Sequence, residues 1–216
     1  MPLVTSLSWS IVIPVKVLAL AKSRITGLAG PRRAELALAM AADTVAAAAA
    51  CAVVDSVIVV TDDAAAAAEL SGLGALVLPD EPGTGLNPAL AFGAAYCDDH
   101  WPGRGRAGMA ADLPALAAAE LGRALAAAAE VEQAFVPDAA GTGTTLYTAR
   151  PGAAFTPRFG PGSHAAHLAA GAVELALPGL DGLRRDVDTV GDLRDAAGIG
   201  LGPRTCAAAA WIAQPR

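Results

Sequence analysis

A run of five residues, Ser56–Val60 (SVIVV), constrains the fold of this chain more than any other feature. Four of the five are β-branched and apolar, which is typical of a strand buried on both faces inside a parallel sheet. Ser10–Val15 (SIVIPV) is a similar run, and Pro31–Cys51, between the two, carries apolar residues near helical spacing. Strands that alternate with helices predict an α/β fold with a mainly parallel sheet and helices on both faces.

The same alternation continues along the chain. Strands are predicted at Ala75–Leu78, Arg106–Ala111, Ala134–Pro137, Leu146–Thr148, Val173–Leu177 and Leu183–Val187. Helices are predicted at Ala64–Leu70, capped by Thr61–Asp63, and at Leu116–Ala129, Ser163–Ala170 and Thr189–Ala197. Another helix is expected to start with Asn87 as its cap and Pro88 in its first position. With no repeat and no internal boundary, the sequence predicts a single domain, residues 1–216, with an irregular tail over 198–216.

Charge and composition narrow the class of protein. The net charge of −6 argues against a general nucleic-acid binder, which would show a basic footprint. The longest uncharged apolar stretch, Thr44–Val54, is far shorter than the about 20 residues that span a bilayer. Met1–Ile13 does not have the pattern of a signal peptide, so we expect a cytoplasmic protein with neither membrane nor nucleic-acid partners. The three cysteines match no zinc or disulfide pattern and are expected to be reduced.

Three cations follow the first predicted strand. Lys16, Lys22 and Arg24 fall within Pro14–Arg24 (PVKVLALAKSR), and Lys16 and Lys22 are the only lysines of the chain. A loop of this kind at a strand end can neutralise a polyphosphate. The segment contains neither a Walker loop nor a dinucleotide-binding glycine fingerprint. It predicts a phosphate-binding loop, with a solvated helix start as the alternative.

Aspartates follow two other predicted strands. Asp112 lies in ADLPAL, where a carboxylate can hold a hard cation such as Mg²⁺ or, alternatively, cap the next helix. Asp186 and Asp188 lie in RRDVDT, and on a strand two such residues face the same side. Their repulsion can be relieved by Arg184 and Arg185, or by a metal ion shared with Asp112. The spacing favours one direct ligand and one more distant partner.

Two glycine-rich segments are candidates for binding an anion. In Asp138–Thr145 (DAAGTGTT) the glycines permit close backbone approach and the threonines add hydroxyl groups, although a plain hairpin turn is an equal alternative. In Pro157–His167 (PRFGPGSHAAH), Gly160 precedes Ser163, which starts a predicted helix, and Arg158 adds positive charge. These features favour an anion-binding segment.

The histidines and the serine of the second segment allow two other interpretations. His164 and His167 are three residues apart, but no cysteine or carboxylate stands at ligand spacing nearby, which argues against zinc. Ser163 has no nucleophile elbow around it, which argues against a hydrolase.

Six motifs occur in one order over residues 14–193: PVKVLALAKSR, GLNPAL, ADLPAL, DAAGTGTT, RFGPGSHAAH and RRDVDTVGDL. Together they resemble the 2-phospho-L-lactate guanylyltransferase family of coenzyme F-420 biosynthesis, and most of all its actinobacterial branch, which uses phosphoenolpyruvate. The resemblance implies a nucleotide-diphospho-sugar transferase-like fold. It also implies transfer of GMP from GTP to the phosphate of a three-carbon acid, with release of pyrophosphate and hand-off of a labile product to the next transferase.

The family's functional residues map onto these motifs. The resemblance implies an acceptor site on Thr144, Gly160 and Ser163, and metal binding by Asp112 and Asp186, with Asp188 close by. We expect the GTP phosphates near Lys16, Lys22 and Arg24, and a Mg²⁺ ion between the α-phosphate and the acceptor phosphate. Candidates for binding the nucleotide base are the loop Asp80–Leu86 and Asn87.

Two other functions remain open from the sequence. One is a nucleotidyltransferase with a different phosphorylated acceptor, although such families commonly carry a glycine-rich G-x-R loop after the first strand, absent here. The other is a non-catalytic nucleotide-binding module, which would gain little from three aspartates without a metal ion.

Overall fold

The computed structural model of the chain describes residues 7–16, 18, 30–80 and 82–210. Lys22 and Arg24, two of the predicted phosphate ligands, lie outside these ranges. None of the helices in the described ranges has the length and apolar character needed to cross a membrane.

Seven strands form one mixed sheet in the order β3-β2-β1-β4-β6-β5-β7. Only β6 runs against its neighbours, β4 and β5, and the other pairings are parallel. The predicted α/β class with a mainly parallel sheet is confirmed. The strands are β1 Trp9–Pro14, β2 Val54–Val60, β3 Leu76–Leu78, β4 Gly105–Met109, β5 Gln133–Pro137, β6 Thr144–Ala149 and β7 Val173–Glu174.

Helices cover both faces of this sheet. Successive residues of a strand point to opposite faces, so neighbouring residues of one strand pack against different helices. Ile11 and Val57 pack with residues of the first long helix, whereas Val12 and Ile58 pack with Leu90 of the third. The helices are α1 Gly30–Ala49, α2 Ala64–Ser71, α3 Leu86–His100, α4 Ala118–Ala128, α5 Ser163–Ala169, α6 Asp181–Arg184, α7 Val190–Ile199 and α8 Pro203–Ala208.

The strand β4, with the sequence GRAGM, is fully buried although its glycines disfavour a strand. A side chain at Gly105 would collide with the indole ring of Trp9. At Gly108 an added Cβ would lie 2.8 Å from Cδ2 of Leu90. The glycines therefore make room for two large neighbours, and tertiary packing overrides strand propensity.

The strand predicted at Leu183–Val187 is wrong. Its first residues belong instead to the short helix α6, and residues 185–189 connect α6 to α7. The Glu120 carboxylate accepts the amide N–H groups of Gly182 and Leu183 at 3.2 and 3.0 Å. This long-range contact satisfies the first amides of a helical turn, and a local hydrophobic pattern does not show it.

The prediction of an irregular tail is wrong for residues 203–208, which form α8. Pro203 stands in the first turn, where a proline is well tolerated. The buried carboxylate of Asp43, on α1, accepts the amide N–H groups of Arg204 and Thr205 at 3.2 and 2.7 Å. An aspartate from another helix thus takes the role of a local cap, which explains why the tail sequence alone does not indicate a helix.

Candidate functional site

The polar motifs of the sequence collect at one edge of the sheet. The strands β1, β2, β4 and β5 end at this edge, and the antiparallel β6 begins there. The Ala110 amide donates to the Thr145 carbonyl at 2.9 Å, which joins the end of β4 to the start of β6. Ligands of open α/β sheets bind beyond this edge. Lys16, Asp112 and Thr144 therefore lie along one edge of the sheet.

Lys16 is exposed in a loop that two long-range contacts hold. The Val15 amide donates to the Val60 carbonyl, and the Leu18 amide donates to the Asp63 carboxylate, both at 2.9 Å. Asp63 also caps α2, as predicted, by accepting two amides of its first turn. The hydrogen bonds from Leu18 and the first turn of α2 lower the pKa of Asp63. The Asp63 carboxylate therefore fixes the loop that carries Lys16.

Four carboxylates, Asp112, Asp138, Asp186 and Asp188, form what we name the carboxylate cluster. Burial raises the pKa of Asp186 to about 6, and the negative charges of Asp112, Asp138 and Asp188 add to this effect. The three aspartates predicted from the sequence are thus brought together without the predicted strand. Asp138 joins them from the end of β5.

The backbone around Asp112 is held from two other elements. The hydroxyl of Thr44, buried on α1, accepts the Leu113 amide N–H at 3.1 Å and donates to the Met40 carbonyl at 2.8 Å. The Asp112 carbonyl accepts the Val187 amide N–H at 3.1 Å. The second contact brings the D-V-D segment to the A-D-L-P segment. The alternative role of Asp112 as a helix cap is wrong, because α4 begins six residues later.

The two arginines beside the cluster bind other groups. The Arg184 guanidinium donates to the carbonyl oxygens of Pro137 and Asp138 at 3.2 and 2.9 Å. Arg185 forms an ion pair with Asp195 at 3.4 Å. Arg184 therefore fixes the position of Asp138 through the backbone, and neither contact neutralises Asp186 directly.

The carboxylate cluster has the donor chemistry of a site for a hard divalent cation, but its side chains, all within the described ranges, do not form a metal-ligand arrangement. Across residues 7–16, 18, 30–80 and 82–210, no three or more His, Cys, Asp or Glu side chains are arranged as a metal-binding group. Carboxylate oxygens are nevertheless the ligands that Mg²⁺ and related ions prefer. The repulsion that raises the pKa of Asp186 is also the kind that a bound cation relieves.

The second part of the site, which we name the acceptor cradle after the role that the sequence predicts for it, consists of Thr144, Arg158, Gly160, Ser163 and His167. The Thr144 hydroxyl lies 3.0 Å from Nδ1 of His167. The Arg158 amide N–H donates to Nε2 of the same ring at 2.9 Å. His167 thus links the start of β6 to the loop before α5, and so brings together the two glycine-rich segments of the sequence.

The loop before α5 needs its glycines. Gly160 and Gly162 have φ angles of 130° and 72°, which L-residues with a side chain rarely adopt. The Ser163 amide donates to the Gly160 carbonyl at 3.1 Å, and Ser163 is buried as the first residue of α5. The glycines thus allow the chain to turn sharply into the helix that begins with Ser163 of the cradle.

Asp138 connects the cradle to the carboxylate cluster. Its carboxylate accepts the Thr142 amide N–H at 2.9 Å, and its own amide donates to the Gly143 carbonyl at 3.2 Å. These bonds close the turn between β5 and β6, so the DAAGTGTT segment is a hairpin turn and also lies at the site. The carboxylate therefore shapes the loop before Thr144 and contributes charge near Asp186.

The two histidines of α5 have separate environments. His164 pairs with Glu174 at 3.0 Å, whereas His167 is buried and stacks on Tyr147 with ring centres 4.8 Å apart. Burial lowers the pKa of His167 to about 4, and the nearby Arg158 charge acts in the same direction. The geometry supports neither a zinc pair nor a base that activates Ser163.

Asn87 has a different position from the one predicted. Gly85 is the cap of α3, and Asn87 lies in the first turn of this helix. Its side-chain amide pairs with the backbone of Phe159, accepting the N–H at 2.8 Å and donating to the carbonyl at 2.9 Å. Asn87 therefore connects α3 to the acceptor cradle.

Sequence reasoning did not assign site roles to Thr44, Asp63, Asp138 and His167. Asp138 carries the same signal as Asp112, an aspartate directly after a strand, and the same argument would have found it. Thr44 and His167 carry no such signal, since both act through partners distant in the sequence: 69 residues separate Thr44 from Leu113, and 23 separate Thr144 from His167.

Comparison with known protein families gives a match over most of the chain. The family profile described as "Guanylyl transferase CofC like" matches residues 9–195. A phosphoenolpyruvate guanylyltransferase of Thermomonospora curvata is 65% identical over 204 residues, which cover 94% of this chain and 90% of the relative. The protein of the same name from Streptomyces coelicolor is 57% identical, with 95% and 98% covered.

Solved structures show the same fold at low sequence identity. A nucleotidyl transferase from Methanothermobacter thermautotroptrophicus aligns with a TM-score of 0.60 and 22% identity, over 89% of this chain and 97% of the other. Rv0371c of Mycobacterium tuberculosis, in a complex with manganese, aligns with a TM-score of 0.54 and 20% identity, over 88% and 97%. The sheet and its helices are therefore those of nucleotidyltransferase-like proteins.

Proposed function

Because the chain belongs to the guanylyl transferase CofC-like family, we propose that it transfers GMP from GTP to phosphoenolpyruvate in coenzyme F-420 biosynthesis. An oxygen of the acceptor phosphate attacks the α-phosphorus of GTP, the bond to the β-phosphate breaks, and pyrophosphate leaves. The observation that carries this proposal is the carboxylate cluster beside the acceptor cradle on one sheet edge. Phosphoenolpyruvate is favoured over 2-phospho-L-lactate because relatives at 65% and 57% identity are named for it.

The nucleotide is assigned to the segment that carries Lys16, Lys22 and Arg24. In this proposal Lys16, Lys22 and Arg24 bind the GTP phosphates and neutralise the charge of the departing pyrophosphate. The exposed position of Lys16, in a loop held by Asp63, supports its part. Asn87, predicted as a nucleotide contact, holds the start of α3 against Phe159, so in this proposal it supports the loop of the acceptor cradle.

The carboxylate cluster is proposed to bind Mg²⁺. Asp112 and Asp186 would hold the ion, with Asp188 and Asp138 close enough to add negative charge. When bound, such an ion supplies Lewis-acid neutralisation of phosphate charge. The chain itself then has to align the two phosphates, and no covalent intermediate on a side chain is required.

The acceptor is proposed to lie in the acceptor cradle. The hydroxyls of Thr144 and Ser163 and the backbone at Gly160 donate hydrogen bonds to its phosphate and carboxylate, and the Arg158 guanidinium adds charge. Support comes from the hydrogen bonds that gather these residues around His167. We also propose that the labile product passes to the next transferase of the pathway.

The test is pyrophosphate release by the purified protein with Mg²⁺ and GTP, with phosphoenolpyruvate and 2-phospho-L-lactate as alternative acceptors. The downstream transferase is added to remove the product. Release that depends on phosphoenolpyruvate establishes the reaction. Release with phospholactate alone would overturn the acceptor assignment, and GTP binding without release in either case would overturn the proposed activity.

A further inference from the structure

His167 is enclosed by polar contacts on both ring nitrogens. The residue is fully buried, and its ring packs against those of Tyr147 and Phe135 at centroid distances of 4.8 and 5.4 Å. Nδ1 lies 3.0 Å from the Thr144 hydroxyl, and Nε2 lies 2.9 Å from the Arg158 amide nitrogen. The stacked rings hold the imidazole plane, so that each nitrogen faces one fixed partner.

These two contacts fix the tautomer of the ring. A backbone amide can only donate, so Nε2 has to accept the Arg158 N–H and carries no proton. A neutral imidazole then carries its proton on Nδ1. Burial favours this neutral form, since it lowers the pKa of His167 to about 4. Nδ1–H is therefore a donor, and it faces the Thr144 hydroxyl.

The tautomer in turn decides whether the Thr144 hydroxyl donates to the ring or accepts from it. A hydroxyl has one proton to donate and can accept from other groups. Because Nδ1 carries a proton, the Thr144 hydroxyl cannot donate to the ring, and its own proton is directed elsewhere. Hydrogen bonds to ionised acceptors are the stronger class. A hydroxyl that donates outward suits a phosphate or carboxylate and disfavours a cationic ligand.

We propose that His167 is a positioning residue that makes the Thr144 hydroxyl a hydrogen-bond donor to the anionic group of the acceptor. The proposal rests on the proposed function, because it assigns Thr144 to the acceptor. It assigns no proton transfer to His167, since both ring nitrogens are held by protein groups. Its second contact, to the Arg158 amide, keeps the loop before α5 in the same arrangement.

A matched pair of variants separates the two ring nitrogens. An asparagine amide stands near the position of Nδ1 and can still donate to Thr144, whereas a glutamine reaches the position of Nε2. Both substitutions remove the aromatic ring. We expect His167→Gln to raise KM for phosphoenolpyruvate about 10-fold or more, since a bond to a charged group is lost. His167→Asn should recover most of this loss, and KM for GTP should change little in either variant.

Two further measurements address structure and additivity. His164→Gln, on the same helix but paired with Glu174, is the matched control and should leave both KM values unchanged. Thr144→Val combined with His167→Gln should be no worse for the acceptor than Thr144→Val alone, because both act on one hydroxyl. Thermal unfolding of every variant separates loss of fold from loss of binding.

The deciding experiment reads the tautomer and the binding of phosphoenolpyruvate separately from turnover. In protein with ¹⁵N-labelled histidine, long-range ¹H–¹⁵N spectra should show His167 protonated on Nδ1, and its signals should shift on titration with phosphoenolpyruvate. Protonation on Nε2, or equal acceptor binding by His167→Gln and His167→Asn, overturns the inference even if the wild type releases pyrophosphate. Binding that only His167→Gln weakens, without any turnover, supports the inference and overturns the proposed function. Absence of both binding and turnover overturns both.

Discussion

The two halves of the site, the acceptor cradle and the carboxylate cluster, differ in the interactions that dominate them. In the cradle, His167 has a protein partner on each ring nitrogen, and the glycines of the loop adopt the conformations that the turn requires. In the cluster, the charges of three neighbouring aspartates add to burial in raising the pKa of Asp186 to about 6. The cradle is held by hydrogen bonds within the protein, whereas the cluster places like charges near one another. In the proposed function, the first half binds the acceptor and the second binds the cation.

The largest effect should come from the cluster. Asp112→Asn keeps the shape of the side chain and removes its charge, so kcat/KM should fall by about three orders of magnitude, since several kcal/mol of charge stabilisation depends on the ion. Pyrophosphate release measures this. Asp55→Asn is the control, because Asp55 and its partner Arg104 lie at the opposite end of the strands from the carboxylate cluster. A near-normal rate for Asp112→Asn would show that the cluster does not have the assigned role.

The cradle should respond to pH through His167. The pKa of this histidine is about 4 in the folded chain and about 6.5 when unfolded. The unfolded chain therefore takes up the proton first, and stability that is complete above pH 6.5 is lost as the pH falls towards 4. The loss amounts to about 3 kcal/mol, since each pKa unit corresponds to about 1.4 kcal/mol.

Urea unfolding at pH 7 and pH 4 measures this contribution. Carboxylates also titrate in this range, so the wild type has to be compared with His167→Asn. Between pH 7 and pH 4, the free energy of unfolding of His167→Asn should fall by about 3 kcal/mol less than that of the wild type. Arg158 is the charged side chain that acts on the ring, and the His164–Glu174 pair lies on the same helix, so His164→Gln serves as the control. Parallel curves for wild type and His167→Asn would contradict a neutral, fully hydrogen-bonded His167.

The sequence predicts the strands of the sheet better than it predicts the long-range contacts that hold the site residues in place. Ser56–Val60 and Ser10–Val15 identify buried parallel strands, and their ends locate the binding edge, because strand burial is a local pattern. The Leu183–Val187 segment was misassigned because Glu120, more than sixty residues away, satisfies the amides that start α6. The same limit applies to the cradle, whose central contact joins two motifs that are each ambiguous alone.

Within the site, the charged residues are predictable from the sequence, but the hydrogen bonds that hold the site together are not. Asp112 is predicted because it follows a strand, and Asp186 and Asp188 because residues two apart on a strand face the same side. The charges of Asp112 and Asp188 do act on Asp186, although the predicted strand at 183–187 does not form. Asn87 was assigned as a helix cap from its local position, yet its amide binds Phe159, 72 residues away. Long-range hydrogen bonds of this kind decide how a site is held, and a single sequence carries no pattern for them.

Asn87 allows the rigidity of the cradle to be tested from outside it. Asn87→Ala leaves both backbone groups of Phe159 without their partner, so the free energy of unfolding should fall by about 1 to 2 kcal/mol. KM for phosphoenolpyruvate should rise by about fivefold, since a loosened loop has to be ordered by the ligand. Urea unfolding and initial rates measure the two effects. If the stability falls while both KM values stay the same, the Phe159 segment does not shape the cradle.

The smallest effect should have the opposite sign and should come from the cluster again. In the absence of divalent ions at pH 8, Asp186→Asn should increase the free energy of unfolding by about 1 kcal/mol, because a partly buried carboxylate no longer repels its neighbours. Added Mg²⁺ should stabilise the wild type and should stabilise this variant much less, as expected when a ligand binds only the folded state. Calorimetry with EDTA and with Mg²⁺ measures both. Asp181→Asn, a few residues away in α6, is the matched control and should not be stabilised by loss of its charge. An Asp186→Asn variant that is less stable than the wild type without metal would mean that the cluster is satisfied within the protein, as the cradle is, and the contrast between the two halves would disappear.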